Sequence, residues 1–219
     1  MEAMTMELDV VAASEIAALQ PGDLITATLR VTDARTELTA ITKVGHTAPP
    51  KEAAQLGVPQ PGAEFPDAAL IDDTGKPFRI ADHRGKAIAL TFIYTRCPLP
   101  DFCPRMNSHF AATMHELPDE RCLWLSVTID PTNDTPQLLA EFAKQFTARG
   151  ERWKFATGPA EEVSRLATFA GLEIRAAGAQ LDHNLRTLVI APDGKVSKVF
   201  TGNQWQPSEL AAEMKRVVR

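Results

Sequence analysis

The sequence has no apolar run long enough to cross a membrane and no concentration of basic residues. Its longest apolar stretch, AIALTFIY at 87–94, has the length of a strand, whereas a membrane-spanning helix needs about 18 apolar residues or more. The formal net charge is −5, and no dense Lys/Arg cluster occurs, which argues against binding to a nucleic-acid backbone. The start, MEAMTMELDV, lacks the basic flank and apolar core of an export signal. We therefore expect either a cytoplasmic protein or one whose export segment and membrane tether lie outside this chain.

Cysteine is also scarce, with three residues in a chain of 219. A fold of this length with 44% hydrophobic residues can rest on an ordinary core and needs no framework of disulfides. Cys97 and Cys103 stand together in TRCPLPDFCPRM, directly after the longest apolar stretch. Cys122 falls inside the apolar segment CLWLSVTID, and we interpret it as a buried strand residue.

The chain divides by composition into three parts. Residues 1–46 contain the strand patterns PGDLITATLRVTD and TELTAITKV, which predict a hairpin within a small, partial β-unit. Residues 47–60 are rich in proline and poor in large apolar side chains, as is typical of a partly extended linker. Residues 61–219 then carry the alternating strand and helix patterns of a larger domain.

These patterns predict an α/β fold for the larger domain. An N-terminal hairpin should be followed by a mixed sheet with flanking helices, as in thioredoxin-like proteins. One helix, TPQLLAEFAKQF, places Leu138, Leu139, Phe142 and Phe146 on one apolar face. In order, the sequence predicts a hairpin around 73–76, a strand at 87–94, a helix from about 104 to 117, a strand at 122–130, a helix from 135, a strand near 153–156, a helix around 161–170, a hairpin turn at 193–194 and a last helix from 207.

The two-cysteine loop is the main candidate site. Reactive groups in such sheets lie beyond the C-terminal ends of strands, and Cys97 follows one. A helix beginning near Cys103 would stabilise a thiolate with its free N–H groups. Two thiolates and one imidazole form a soft three-coordinate site that suits Cu(I). Among five histidines, His183 precedes a strand whose leading loop should approach the cysteines, whereas His109 and His115 lie on the following helix and should face solvent.

Residues 59–219 resemble the Sco/SenC family of copper-binding, thioredoxin-like proteins. The resemblance rests on GAEFPDAALIDDTGKPFRIADHRGKAIALTFIYTRCP, FCPRM, VTIDPTNDTPQLLAEF, WKFATG, DHN with LVIAPDGKV, and GNQW, which occur in the family's order. It implies that Cys97, Cys103 and His183 bind a copper ion. It further implies a periplasmic, membrane-anchored protein that delivers copper, or reducing equivalents, to the cytochrome c oxidase subunit carrying the binuclear copper centre, or to other periplasmic copper and thiol proteins. This chain has five residues between its cysteines, PLPDF, where the family most often has three.

A second resemblance concerns the N-terminal part. EAMTMELDV followed by ALQPGDLITATLRV is similar to the second half of a CusF-like copper-binding β-barrel. In that family an MTM pair supplies thioether ligands, and this resemblance implies Met4 and Met6 as metal candidates.

The same cysteines admit a second interpretation as a periplasmic thiol-disulfide oxidoreductase. Cys97 would then be the more exposed thiol and Cys103 its partner. A peroxiredoxin is disfavoured because its Pro-x-x-x-Thr-x-x-Cys signature is absent around Cys97.

Overall fold

The computed structural model describes residues 8–32, 35–47, 57–146, 151–177 and 180–219. Two short 3₁₀ turns, at Ala13–Glu15 and Ile80–His83, accompany the regular elements of these ranges. In chain order the regular elements are β1 Asp9–Val10, β2 Asp23–Val31, β3 Thr36–His46, β4 Ala69–Asp72, β5 Pro77–Arg79, β6 Ala87–Ile93, α1 Cys103–Glu116, β7 Cys122–Thr128, α2 Pro136–Ala143, β8 Trp153–Thr157, α3 Ala160–Phe169, β9 Ile174–Ala177, β10 Gln180–His183, β11 Arg186–Ile190, β12 Val196–Thr201 and α4 Pro207–Val217.

A seven-stranded mixed sheet forms the centre of the larger domain, in the order β12-β11-β6-β7-β8-β4-β5. The pairs β6–β7 and β7–β8 are parallel, and the remaining pairs are antiparallel. All seven residues of β6 and all seven of β7 are buried, because these strands are covered on both faces and their sequences are mostly apolar. The predicted mixed sheet with flanking helices and an N-terminal hairpin, β4–β5, is confirmed.

The N-terminal residues form a separate three-stranded sheet in the order β1-β3-β2. The predicted hairpin is present as the antiparallel pair β2–β3, and β1 adds a short parallel edge. Most of this sheet is exposed, including Leu24 and Val44. Its buried positions are Thr36 and Glu37, at the start of β3.

Proline and a polar cap define where α2 begins. Pro136 occupies the first turn, where its missing N–H costs nothing, and the Thr135 hydroxyl accepts a hydrogen bond from the Leu138 N–H. The prediction that Leu138 belongs to the buried apolar face of this helix is wrong, since its side chain is 49% exposed. The buried side of the helix runs through Leu139, Phe142 and Ala143, so Leu138 lies on its flank. No helix of the described residues is both long enough and apolar enough to span a bilayer.

The helix α1 corrects a second expectation. His109 is half-buried because α4 packs against α1, and its ring meets that of Trp205 edge to face at 4.7 Å. Burial, the larger cause, and the nearby Arg105 lower the pKa of His109 to about 4. His115 is exposed, as expected.

Candidate metal centre

The turn into the cysteine loop is fixed by the buried carboxylate of Asp134. β6 ends at Ile93, and Asp134 accepts hydrogen bonds from both the backbone N–H and the hydroxyl of Thr95. It also accepts one from the hydroxyl of Thr128, at the end of the neighbouring strand β7. Asp134 is fully buried, and a buried carboxylate needs such donors. The network therefore ties the chain two residues before Cys97 to the carboxyl end of the sheet.

The two cysteines of the loop have different environments. Both are free thiols, Cys97 being partly exposed and Cys103 fully buried at the first residue of α1. Interaction with the Cys103 thiol, and then with backbone N–H groups, lowers the pKa of Cys97 to about 7. Burial raises the pKa of Cys103 well above its usual value. The backbone N–H of Cys103, at the start of the helix, is thus one of the groups that stabilise a thiolate at Cys97.

His183 reaches the cysteines from the end of the β9–β10 hairpin, 80 residues after Cys103. Its Nδ1–H donates to the backbone carbonyl of Asn184 at 2.8 Å, which leaves Nε2 unprotonated and able to accept from the Cys103 thiol. That Nε2 lies 3.8 Å from the Sγ of Cys103. The ring is buried, and burial lowers its pKa, so the imidazole is neutral near pH 7. A ligating histidine typically has this arrangement, with one nitrogen held by a carbonyl and the other free.

The distance between Cys103 and His183 fits two donors that share one ion. With bonds of about 2.3 Å to sulfur and about 2.0 Å to nitrogen, as for zinc, and an angle of about 120°, the donors are about 3.7 Å apart. The observed separation is 3.8 Å. Across the described ranges, however, no three His, Cys, Asp or Glu side chains are already grouped as a metal cage. Two donors are therefore in place, and the Cys97 sulfur lies beside Cys103.

Tyr94 is a site residue that the sequence reasoning missed. Its backbone carbonyl accepts a hydrogen bond from the Cys97 N–H at 3.2 Å, and its side chain is among the groups that lower the Cys97 pKa. Its ring meets that of His183 edge to face, with centroids 5.8 Å apart. From the sequence, Tyr94 was interpreted only as the last residue of the apolar run at 87–94. The signal that could have identified it is its position, directly after a buried strand and three residues before Cys97.

The remaining sequence candidates lie away from this site or outside the described residues. Cys122 is fully buried in β7 as predicted, and burial raises its pKa to about 11. Met4 and Met6 precede the first described residue, so their expected metal binding stays a prediction.

The difference in thiol pKa predicts selective alkylation of native, reduced protein by iodoacetamide. Cys97 should react first, with a rate that rises to half its maximum near pH 7, because its thiolate is stabilised and partly exposed. Cys122 should stay unmodified on that timescale, since it is buried with a pKa of about 11. Peptide mass spectrometry after timed quenching measures both rates, and Cys97→Ser should abolish the fast reaction. A midpoint near pH 9 for Cys97 would contradict the assigned environment.

Comparisons with known proteins agree with this architecture. The solved structure of BsSco, which is described as having a disulfide switch, aligns with a TM-score of 0.63 at 26% identity over 74% of this chain and 97% of that one. The copper-bound structure of ScoI from Arabidopsis thaliana aligns with a TM-score of 0.61 at 23% identity, over 70% of this chain and 99% of that one, and it supports the fold alone. The fold is therefore thioredoxin-like, as predicted.

Sequence relatives identify the family. A SCO1 protein homolog from Bacillus subtilis is 29% identical over 139 residues, covering 61% of this chain and 71% of the relative. For three curated relatives, the matched region makes up 59% to 71% of their length. The SCO1/SenC family profile matches residues 59–219, which is well over half of the chain and contains both loop cysteines and His183. The chain therefore belongs to the SCO1/SenC family.

Proposed function

We propose that this protein is a metallochaperone that binds Cu(I) through Cys97, Cys103 and His183. Its cargo would serve the assembly of the binuclear copper site of cytochrome c oxidase. The observation that carries the proposal is the neutral imidazole of His183, held by Asn184 with its free Nε2 3.8 Å from the Cys103 sulfur. Family membership supports it, since BsSco is described as belonging to the Sco family of cytochrome c oxidase assembly proteins.

The thiol environments suggest the order in which the ligands engage. Cys97 is partly exposed and already thiolate-like near neutral pH, so it is the natural first ligand for an incoming ion. Cys103 is buried and protonated, and its proton must leave when copper binds. His183 requires no deprotonation because its lone pair is free. Binding therefore releases about one proton from Cys103 above pH 7, and the cysteine loop closes around the ion.

Oxidation of the cysteines would prevent loading. Forming the Cys97–Cys103 disulfide removes two thiol protons and passes two electrons to an oxidant, which leaves His183 without thiolate partners. We therefore expect one tightly bound Cu(I) per chain in reduced protein and no tight binding in oxidised protein. A competition titration with a chromogenic Cu(I) chelator under argon measures both, and re-reduction with a phosphine is the control. Equal stoichiometry in the two redox states would refute the proposed ligand set.

A second candidate function, thiol-disulfide exchange, is favoured by the different pKa and exposure of the two thiols, since Cys97 is partly exposed with a lowered pKa and Cys103 is buried with a raised one. The Cys97 thiolate would attack a partner disulfide, form a mixed disulfide and release one partner thiolate. Cys103 would then lose its proton, attack the Cys97 sulfur and release the second partner thiol. His183→Ala separates the functions, because it should weaken copper binding and leave exchange with a model disulfide nearly unchanged.

The proposal extends to the setting of the protein. A copper chaperone for this oxidase would act in the periplasm, held near the membrane. Its partner would be the oxidase subunit that carries the binuclear copper centre, or another periplasmic copper or thiol protein. Met4 and Met6 are proposed as a weaker thioether site in the CusF-like N-terminal part. Met4→Ile with Met6→Ile should then remove copper bound beyond the first equivalent.

A further inference from the structure

The N-terminal sheet has one buried end, and that end meets the cysteine loop. Thr36 and Glu37 are 2% and 7% exposed, whereas most of the remaining β3 positions and nearly all of β2 are partly or fully exposed. The backbone N–H of Thr36 donates a hydrogen bond to the carboxylate of Asp101. Asp101 belongs to the PLPDF spacer between the two cysteines and is itself 7% exposed. The contact therefore joins the N-terminal sheet directly to the candidate metal centre.

Asp101 also holds two other parts of the larger domain. Its carboxylate lies 3.6 Å from Nη1 of Arg105, across the first turn of α1. Its backbone carbonyl accepts a hydrogen bond from the side-chain amide of Asn203 at 3.0 Å, and Asn203 is buried before α4. Three segments of the chain thus meet at one residue that stands four positions after Cys97 and two before Cys103.

This junction joins two parts of the chain. The family profile begins at residue 59, so the N-terminal sheet lies outside it. Asp101 belongs to the five-residue spacer between the cysteines, which lies inside the profile. We propose that Asp101 is a positioning residue, through which the N-terminal sheet clamps the cysteine loop so that Cys103 stays buried against His183.

The clamp would act by limiting how far the spacer can move. Loss of the Thr36 N–H would leave the buried Asp101 carboxylate with fewer donors, and this cost in free energy holds the loop against the start of β3. Separation would release the segment just before Cys103 and expose its thiol. The proposed role of Asp101 concerns the burial of the Cys103 thiol and does not depend on copper. An experiment can therefore contradict this role while copper binding is confirmed, or the reverse.

Removal of either partner of this hydrogen bond tests the clamp. Asp101→Ala removes the acceptor and Thr36→Pro removes the N–H, while Asp193→Ala, in the exposed β11–β12 turn, is the matched control. We expect iodoacetamide to modify Cys103 about tenfold faster in the first two variants and at the wild-type rate in the control. Cys122 is an internal reference, because general unfolding would expose it as well. A rise in the rate for Cys103 without a rise for Cys122 supports positioning, and parallel rises or no rise overturn it.

A measurement on the wild type keeps the inference testable if both variants fail to fold. The Thr36 amide should exchange with solvent deuterium about tenfold or more slowly than an unprotected amide, because its N–H is buried against Asp101. Residue-resolved NMR exchange measures this rate. Exchange of the Thr36 amide at the unprotected rate would overturn the clamp.

Discussion

Replacing His183 by alanine is expected to weaken Cu(I) binding by about 100-fold or more. Loss of a group that merely supports a metal ligand costs 10- to 100-fold, so loss of a ligand itself should reach at least the upper end of that range. The change leaves Cys97 and Cys103 as the remaining donors and removes the Nε2 that now lies 3.8 Å from the Cys103 sulfur. Chelator competition on fully reduced protein gives the affinity.

The control for this change is His115→Ala. His115 is exposed on α1, so its removal should leave copper affinity at the wild-type value. The thermal midpoint of both variants should be compared without copper, to separate ligand loss from a loss of folded protein. Equal affinity in wild type, His183→Ala and His115→Ala would remove His183 from the site.

Replacing Asp134 by alanine is expected to lower the free energy of unfolding by about 3 kcal/mol. The fully buried carboxylate accepts the N–H and hydroxyl of Thr95 and the hydroxyl of Thr128. Alanine leaves these donors without an acceptor in a buried place, and each unsatisfied group carries a desolvation cost. Urea denaturation with linear extrapolation measures the difference.

Two comparisons sharpen this result. Asp134→Asn keeps the shape and one carbonyl acceptor, so it should cost less than Asp134→Ala, while Asp193→Ala at an exposed turn should cost almost nothing. The turn before Cys97 should also loosen in Asp134→Ala, since Thr95 loses its anchor. A change of less than about 0.5 kcal/mol in Asp134→Ala would show that the network does not hold the turn.

Much of the fold could be predicted because the apolar composition of the central strands indicates that they are buried. The runs at 87–94 and 122–130 are mostly apolar, and they form the central strands β6 and β7, in which every residue is buried. The hairpins at 73–76 and 193–194 followed from local turn chemistry. Leu138 was misplaced because apolar spacing does not fix how far a helix rotates against a sheet.

The site was less predictable because its contacts are long-range. The cysteine loop was a candidate from its position after a strand, and the motif resemblance supported His183 as its partner, but no local pattern places residues 80 positions apart at 3.8 Å. Asp134 bonds to Thr95 from 39 residues away, and Asp101 bonds to Thr36 from 65 residues away. Such pairs depend on how strands and loops meet in three dimensions, and a polar residue in a loop gives no sign of its partner.

X-ray absorption at the copper edge, on reduced wild-type protein loaded with one equivalent of Cu(I), tests the central claim most directly. Two sulfur neighbours from Cys97 and Cys103 and one imidazole nitrogen from His183 should surround the ion, and the imidazole signal should disappear in His183→Ala. A spectrum with sulfur neighbours alone, or one that is identical in the two proteins, would contradict the account.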